Sequence, residues 1–297
     1  MIDFIAANTW IFLTLVILCS LAIGSFLNVV IYRLPIILER DWQKECMEFF
    51  GKEPEFSNGI TKYNLAHPSS HCPFCNQPLT IWQNIPVISY LVLGGKCAHC
   101  QNKIPLRYLI VELLSCLLAI IAAIEFGFSL SLLFVLIFTW MLVAITFIDI
   151  DHQILPDILS LSLIWLGLLA SCFNLFTNSH DAILGAIFGY GFFWIIGKLF
   201  QLVRHKEGIG QGDFKLLAAI GTWVGWQILP FVILTSSFLA LIIGGGFLLI
   251  SRKSHHTPIP FGPFISIAGF IAIIWGFDIS QYYLHVMGLP IMLDVSI

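Results

Sequence analysis

The feature that most constrains this chain is a series of apolar runs, each near the length a helix needs to cross a bilayer, separated by short segments that hold most of its charge. A helix rises 1.5 Å per residue, so roughly 20 apolar residues cover a hydrocarbon core of ~30 Å. Runs at residues 10–31, 108–125, 129–148, 157–176, 182–203, 214–229, 231–250 and 261–281 fit that length. Lipid offers no hydrogen-bonding partner, so each run must satisfy its backbone internally, as a helix does. The expected fold is therefore all-α and polytopic, with about eight transmembrane helices; the sixth run is the shortest. Only 10% of the 297 residues are charged, against roughly 25% in a soluble domain. The net charge of −3 is too small to imply a nucleic-acid partner; membrane lipid is the expected surroundings. The first run lacks a basic flank and a small-residue cleavage site, so it reads as a retained span and not a signal peptide.

The basic residues then set the orientation. Of 14 Lys and Arg, eight lie between Arg33 and Arg107, four are Lys198, Arg204, Lys206 and Lys215, and two are Arg252 and Lys253. Eight spans place all three groups on one side, whereas the connections near 126–128, 177–181 and 230 hold none. By the positive-inside rule the basic side is cytoplasmic and both termini are periplasmic. The chain accordingly divides into a first span at 1–31, a cytoplasmic loop domain at 32–107 and a larger transmembrane domain at 108–297.

The loop domain contains Cys72-Pro-Phe-Cys75 and Cys97-Ala-His-Cys100. Two such pairs, each followed by three residues and an aliphatic one (Leu79, Ile104), have the ligand spacing of a zinc ribbon. Four thiolates would fill a tetrahedral shell, so this zinc would be structural, stabilising a loop too small for a sizeable core. Two disulfides or a rubredoxin-like iron site are the alternatives. His71 and His99 flank the ligands without being needed as ligands. The segment 41–56 mixes charges with Trp42, Phe49, Phe50 and Phe56, which suits a helix on the membrane surface or a linker. Cys19, Cys116 and Cys172 stand in apolar runs and read as core residues.

Charge near hydrocarbon is costly, so carboxylates at span ends mark candidate chemistry. Asp149 closes the third run in Phe147-Ile-Asp149-Ile-Asp151-His152, and Asp213 opens the sixth in Gly208-Ile-Gly210-Gln-Gly212-Asp213-Phe-Lys215. Both fall at the cytoplasmic face in this topology, so they can meet. Two carboxylates sharing one proton can split the acid and base roles of peptide hydrolysis, with water as nucleophile. The glycines beside Asp213 would let a substrate backbone approach closely. Asp157 follows Pro156 and reads as a helix-capping residue, and Asp151 reads as a solvated turn residue. Gly24, Ser25 and Asn28 could serve either a bound molecule or close helix packing.

Together these residues resemble the type IV prepilin peptidases, membrane aspartyl proteases with a Gly-x-Gly-Asp motif. The resemblance rests on Asp149 with Pro156-Asp157, on Gly210-Gln-Gly212-Asp213, on Gly24-Ser-Phe-Leu-Asn28-Val-Val-Ile-Tyr-Arg33-Leu-Pro35 and on the cysteine tetrad. One element departs: Leu109 follows Arg107-Tyr108 where the family carries proline. The resemblance implies a bacterial inner-membrane enzyme with Asp149 and Asp213 as its catalytic pair. Its substrates would be prepilins and pseudopilins, cleaved on the cytoplasmic side after the glycine ending a basic leader. It also implies S-adenosylmethionine-dependent N-methylation of the new N-terminus, at a site the sequence does not place; Gly94, Gly95 and Lys96 are near the tetrad but read as a turn. A transporter using interfacial aspartates is the alternative, disfavoured because transporters hold such groups near the midplane between repeats. A zinc protease is disfavoured by the lack of His-Glu-x-x-His, and a pepsin-like one by the lack of Asp-Thr-Gly or Asp-Ser-Gly.

Overall fold

The computed structural model describes residues 8–51, 63–205, 210–247 and 259–286. Lys206, Gly208, Arg252, Lys253 and Phe56 therefore lie outside the described residues. The chain divides into two compact units, Met1–Ile124 and Glu125–Ile297. No strand occurs among the described residues; two isolated β-bridges do.

In the first unit, α1 runs from Thr9 to Phe49, well past the expected end at residue 31. Its apolar part buries one face, and Arg33, Leu34 and Pro35 continue that face into the polar part. The remainder is a charged helix with aromatic residues exposed along it, among them Trp42 and Phe49, and a Lys44–Glu48 pair at 3.8 Å. Hydropathy alone ends a span where charge begins, although nothing in residues 36–49 breaks a helix. A 3₁₀ turn at Ile81–Asn84 leads to the short α2, Ile88–Val92. The unit then enters α3, Leu106–Phe126. Helices α1 and α3 touch through backbone: a Cβ on Gly24 would stand 2.9 Å from Glu112 Cα and closer still to Ser115 Oγ.

The second unit is a helical assembly around a short central element. It comprises α4 Leu130–His152, α5 Asp157–Cys172, α6 Ser179–Arg204, α7 Gln211–Val224, α8 Leu229–Leu239 continued by a π-helical stretch Ala240–Gly244, and α9 Gly262–Val286. Every residue of α7 from Leu216 to Val224 is buried. Trp223 has no exposed surface, meets the Phe138 ring at 4.7 Å between centres with the planes tilted by 45°, and donates its indole N–H to the Leu163 carbonyl at 2.9 Å. Helices α6 and α7 cross at Gly185 and Gly221, where a Cβ on either would overlap the other's backbone.

Six helices among the described residues are long and apolar enough to cross a membrane, so this is a multi-pass membrane protein. The two other expected spans are shorter than predicted. The run at 157–176 is helical only to Cys172, and the run at 214–229 is replaced by α7, which starts at Gln211 and ends at Val224. Fourteen residues rise only about 21 Å. A helix walled in by other helices on all sides has no lipid to match and needs no full span. Cys116 is buried as expected, but Cys19 and Cys172 are exposed on the helix surface. An apolar run looks the same whether its side chains meet protein or lipid.

Candidate active site and metal centre

Helix α4 carries Asp149 in its last turn and is capped by Gln153, whose left-handed backbone (φ 55°) lets its N–H close on the Asp149 carbonyl at 2.9 Å. The side chain of Asp149 is turned inward, 5% exposed. Its Oδ2 accepts the backbone N–H of Gly262, the first residue of α9, at 2.9 Å. Asp213 stands in the first turn of α7. It lies near enough for the charge of Asp149 to act on it, and its buried Oδ1 has no hydrogen-bond partner among the described residues. A buried carboxylate oxygen without a partner is costly to keep, so this atom points to a molecule that fills the site, such as water or a peptide.

Leu155 links the two carboxylates. A Cβ on Gly212, beside Asp213, would lie 2.7 Å from Leu155 Cβ, and one on Gly262 would lie 2.9 Å from Leu155 Cδ2. One leucine thus packs on the glycine that adjoins one aspartate and the glycine that holds the other. Both contacts need hydrogen in place of a side chain. Gly262 and Leu155 escaped the sequence reading; the only signal was a glycine between Phe261 and Pro263 at the mouth of an apolar run.

The other acidic candidates sit differently. Asp157 does not cap α5: Pro156 holds the N-cap position. Asp157 instead accepts both bonds of a paired contact from Lys215 Nζ, at 2.6 and 2.7 Å. That pair ties the start of α5 to α7 two residues after Asp213. The sequence reading missed it because the partners are 58 positions apart. Asp151 and His152 are exposed at the end of α4.

In the first unit, Cys72, Cys75, Cys97 and Cys100 converge, their sulfurs all within 4.8 Å of one another. All four are free thiols, so the disulfide alternative is not what this structure holds. The two halves repeat atom for atom. Cys72 N–H bonds the Gln77 carbonyl and Asn76 N–H the Cys72 carbonyl; Cys97 N–H bonds the Asn102 carbonyl and Gln101 N–H the Cys97 carbonyl. Asn76 and Gln101 take matching left-handed backbones, φ 56° and 58°, and bridges His71–Pro78 and Lys96–Lys103 close the two turns. Leu79 and Ile104 occupy equivalent places, donating to the Ser70 and Gly95 carbonyls.

The donor set fits a tetrahedral metal. Four sulfurs about 2.3 Å from one centre would stand about 3.8 Å apart, and Cys72 and Cys100 Sγ are 3.8 Å apart. The amides of Cys100 and His99 aim at the Cys97 sulfur and bring its pKa down to about 6. Such donors favour the thiolate form that a metal cation needs. His71 Nδ1 pairs with the Ser69 carbonyl at 3.0 Å, and among the described residues no histidine joins the cluster. Gly94 and Gly95 form a turn with φ of +59° and +69°.

Both parts of the chain are similar to known sequences. Residues 136–245, which include Asp149 and Asp213, match the type IV leader peptidase family, and residues 18–126, which include the tetrad, match the bacterial peptidase A24 N-terminal domain. A prepilin leader peptidase/N-methyltransferase of Pseudomonas aeruginosa is 48% identical over 97% of this chain and 99% of its own. The chain belongs to the type IV leader peptidase family. Proteins of the same description from Aeromonas salmonicida (48% identical, 93% of this chain, 94% of its own) and Legionella pneumophila (45%, over 93% and 95%) match along similar lengths. No solved structure matches it. None of these relatives is described as a transporter.

Proposed function

We propose that this chain removes the leader from prepilins and pseudopilins and N-methylates the residue that cleavage exposes, the activities for which its relatives are named. Asp149 and Asp213 are the catalytic pair. The observation that carries this reading is the buried, unpartnered Oδ1 of Asp213 beside a second buried carboxylate fixed by the Gly262 amide. Like charges held close cannot both stay ionised, so the pair shares a proton. The ionised carboxylate takes a proton from water as its oxygen attacks the scissile carbonyl, and the protonated one donates to the carbonyl oxygen. The tetrahedral species then collapses, and a proton passes back to the leaving amine. Gly212 and Gly262 keep the surroundings of the pair free of side chains and fix the carboxylates through Leu155.

The second unit carries cleavage and the first carries methylation. The sulfurs of Cys72, Cys75, Cys97 and Cys100 hold a structural zinc that fastens the two turns together, with no open coordination position. When bound, S-adenosylmethionine supplies an electrophilic methyl group. The membrane is the bacterial inner membrane, with the aspartates at its cytoplasmic side and both termini periplasmic, as the distribution of Lys and Arg supports. The test is incubation of the purified protein in lipid nanodiscs with a prepilin and methyl-labelled S-adenosylmethionine. The expected product is a chain shortened by its leader and bearing label; an uncut prepilin would overturn the peptidase reading, and a cut, unlabelled chain the methyltransferase one.

A further inference from the structure

The first unit contains a cavity of about 250 Å³ bounded by α1, the cysteine turns and the start of α3, just below the roughly 300–1,000 Å³ of small-molecule sites. Two of its lining residues carry buried, opposite charges with no ionic partner. Arg33 is 6% exposed. Its Nη1 donates to the Asn64 and Leu65 carbonyls, both at 3.2 Å, and its guanidinium lies 5.9 Å from the centre of the Tyr63 ring. Among the described residues no carboxylate reaches it. Glu112 is 8% exposed; it accepts the Val87 N–H at 2.8 Å and a bond from Ser25, and no Lys, Arg or His pairs with it among the described residues.

A buried charge is tolerated when it is paired, and removing it from water otherwise costs several kcal/mol. A cation and an anion facing one cavity, each bonded only to neutral groups, call for a ligand bearing both signs. An α-amino acid group has an ammonium and a carboxylate. The lining is otherwise mixed and includes Lys103, but five aromatic rings stand in it, Tyr32, Tyr63, Phe74, Tyr90 and Tyr108, with Tyr32 59% and Tyr108 38% exposed; such faces stack on a purine and attract a sulfonium. Asn28, which donates to the Tyr108 carbonyl at 3.1 Å, adds a polar amide to the same wall.

We propose that this cavity is the S-adenosylmethionine site, with Arg33 on the methionine carboxylate, Glu112 on its ammonium and the tyrosines on the sulfonium and adenine. The proposal rests on the methyltransferase reading above and adds the residues that bind the methyl donor. It also gives the tetrad a purpose beyond folding, because Cys72 and Cys97 form part of the cavity wall.

The test measures binding to the full-length protein in nanodiscs by calorimetry, independent of turnover. S-adenosylmethionine is compared with 5′-methylthioadenosine, which keeps the nucleoside and loses the amino acid group. Arg33→Gln and Glu112→Gln should each weaken S-adenosylmethionine roughly 10- to 100-fold, the worth of a charged hydrogen bond, and leave 5′-methylthioadenosine unchanged. Wild-type affinity for S-adenosylmethionine in both variants would overturn the assignment. In parallel, the wild type is irradiated with labelled S-adenosylmethionine and digested; label is expected within 25–33 or 63–112, and label elsewhere overturns the proposal even where a variant loses both ligands by misfolding. A wild type that neither binds nor transfers methyl would defeat the underlying methyltransferase reading instead.

Discussion

Replacing Gly262 by alanine tests the support of the catalytic pair without touching either aspartate. The backbone of Gly262 has a φ that alanine adopts, so the change acts only through space. The new Cβ would stand 2.7 Å from Asp149 Oδ2, 3.2 Å from its Cγ and 2.9 Å from Leu155 Cδ2. Ordinary contacts begin near 3.4 Å, so the carboxylate must retreat by about 0.7 Å and Leu155 Cδ2 by about 0.5 Å. A displacement near 1 Å at a reacting group costs on the order of 100-fold in rate. The account therefore predicts a fall in kcat for prepilin cleavage of about 10- to 100-fold, with KM little changed, because the displaced carboxylate acts on the reacting amide. The assay is cleavage of purified prepilin in nanodiscs, followed by mass. Gly191→Ala is the control, since a Cβ there meets nothing within 4 Å. The Tm of the variant in detergent reports on its folding. A Gly262→Ala protein that cleaves within twofold of wild type would refute the reasoning that this amide fixes the pair.

Other outcomes follow from the same geometry. Cys72→Ser should lower bound zinc, read by elemental analysis, and abolish methyl transfer while leader cleavage persists. Asp157→Asn breaks the contact with Lys215, but the partners are 58% and 27% exposed, so stability should fall by no more than about 1 kcal/mol, and cleavage should survive where Asp149→Asn loses it. Asp181 accepts from Trp226 Nε1 at 3.0 Å, Gln227 Nε2 at 2.9 Å and Asn178 Nδ2 at 2.9 Å; these donors are exposed to water, so Asp181→Ala should cost only about 1 kcal/mol, seen as a slightly lower Tm in detergent.

What could be read from the sequence divides along physical lines. Asp149, Asp213 and the four cysteines were legible because chemistry demands particular side chains at particular spacings, and few other residues can supply them. The cysteine turns even showed their repeat, Leu79 answering Ile104, before the matching hydrogen bonds were seen. Leu155 and Gly262 were not legible, since one acts by filling space and the other by leaving it, and both partners are distant in sequence. Arg33 looked like the charge that ends a span; its burial against the 63–65 segment depends on tertiary contact that hydropathy does not report. The same limit explains α7, buried at every residue from Leu216 to Val224, whose length reflects enclosure by protein and not the thickness of lipid.

The central claim is that two aspartates from α4 and α7 cleave the leader together. Asp149→Asn and Asp213→Asn, each reconstituted in nanodiscs with prepilin, test it most directly, with a wild-type Tm as the measure of intact folding and methyl transfer as the measure of the other activity. The account predicts that each single change lowers cleavage by at least on the order of 10³-fold while methyl transfer continues. Cleavage at the wild-type rate by either variant would contradict it.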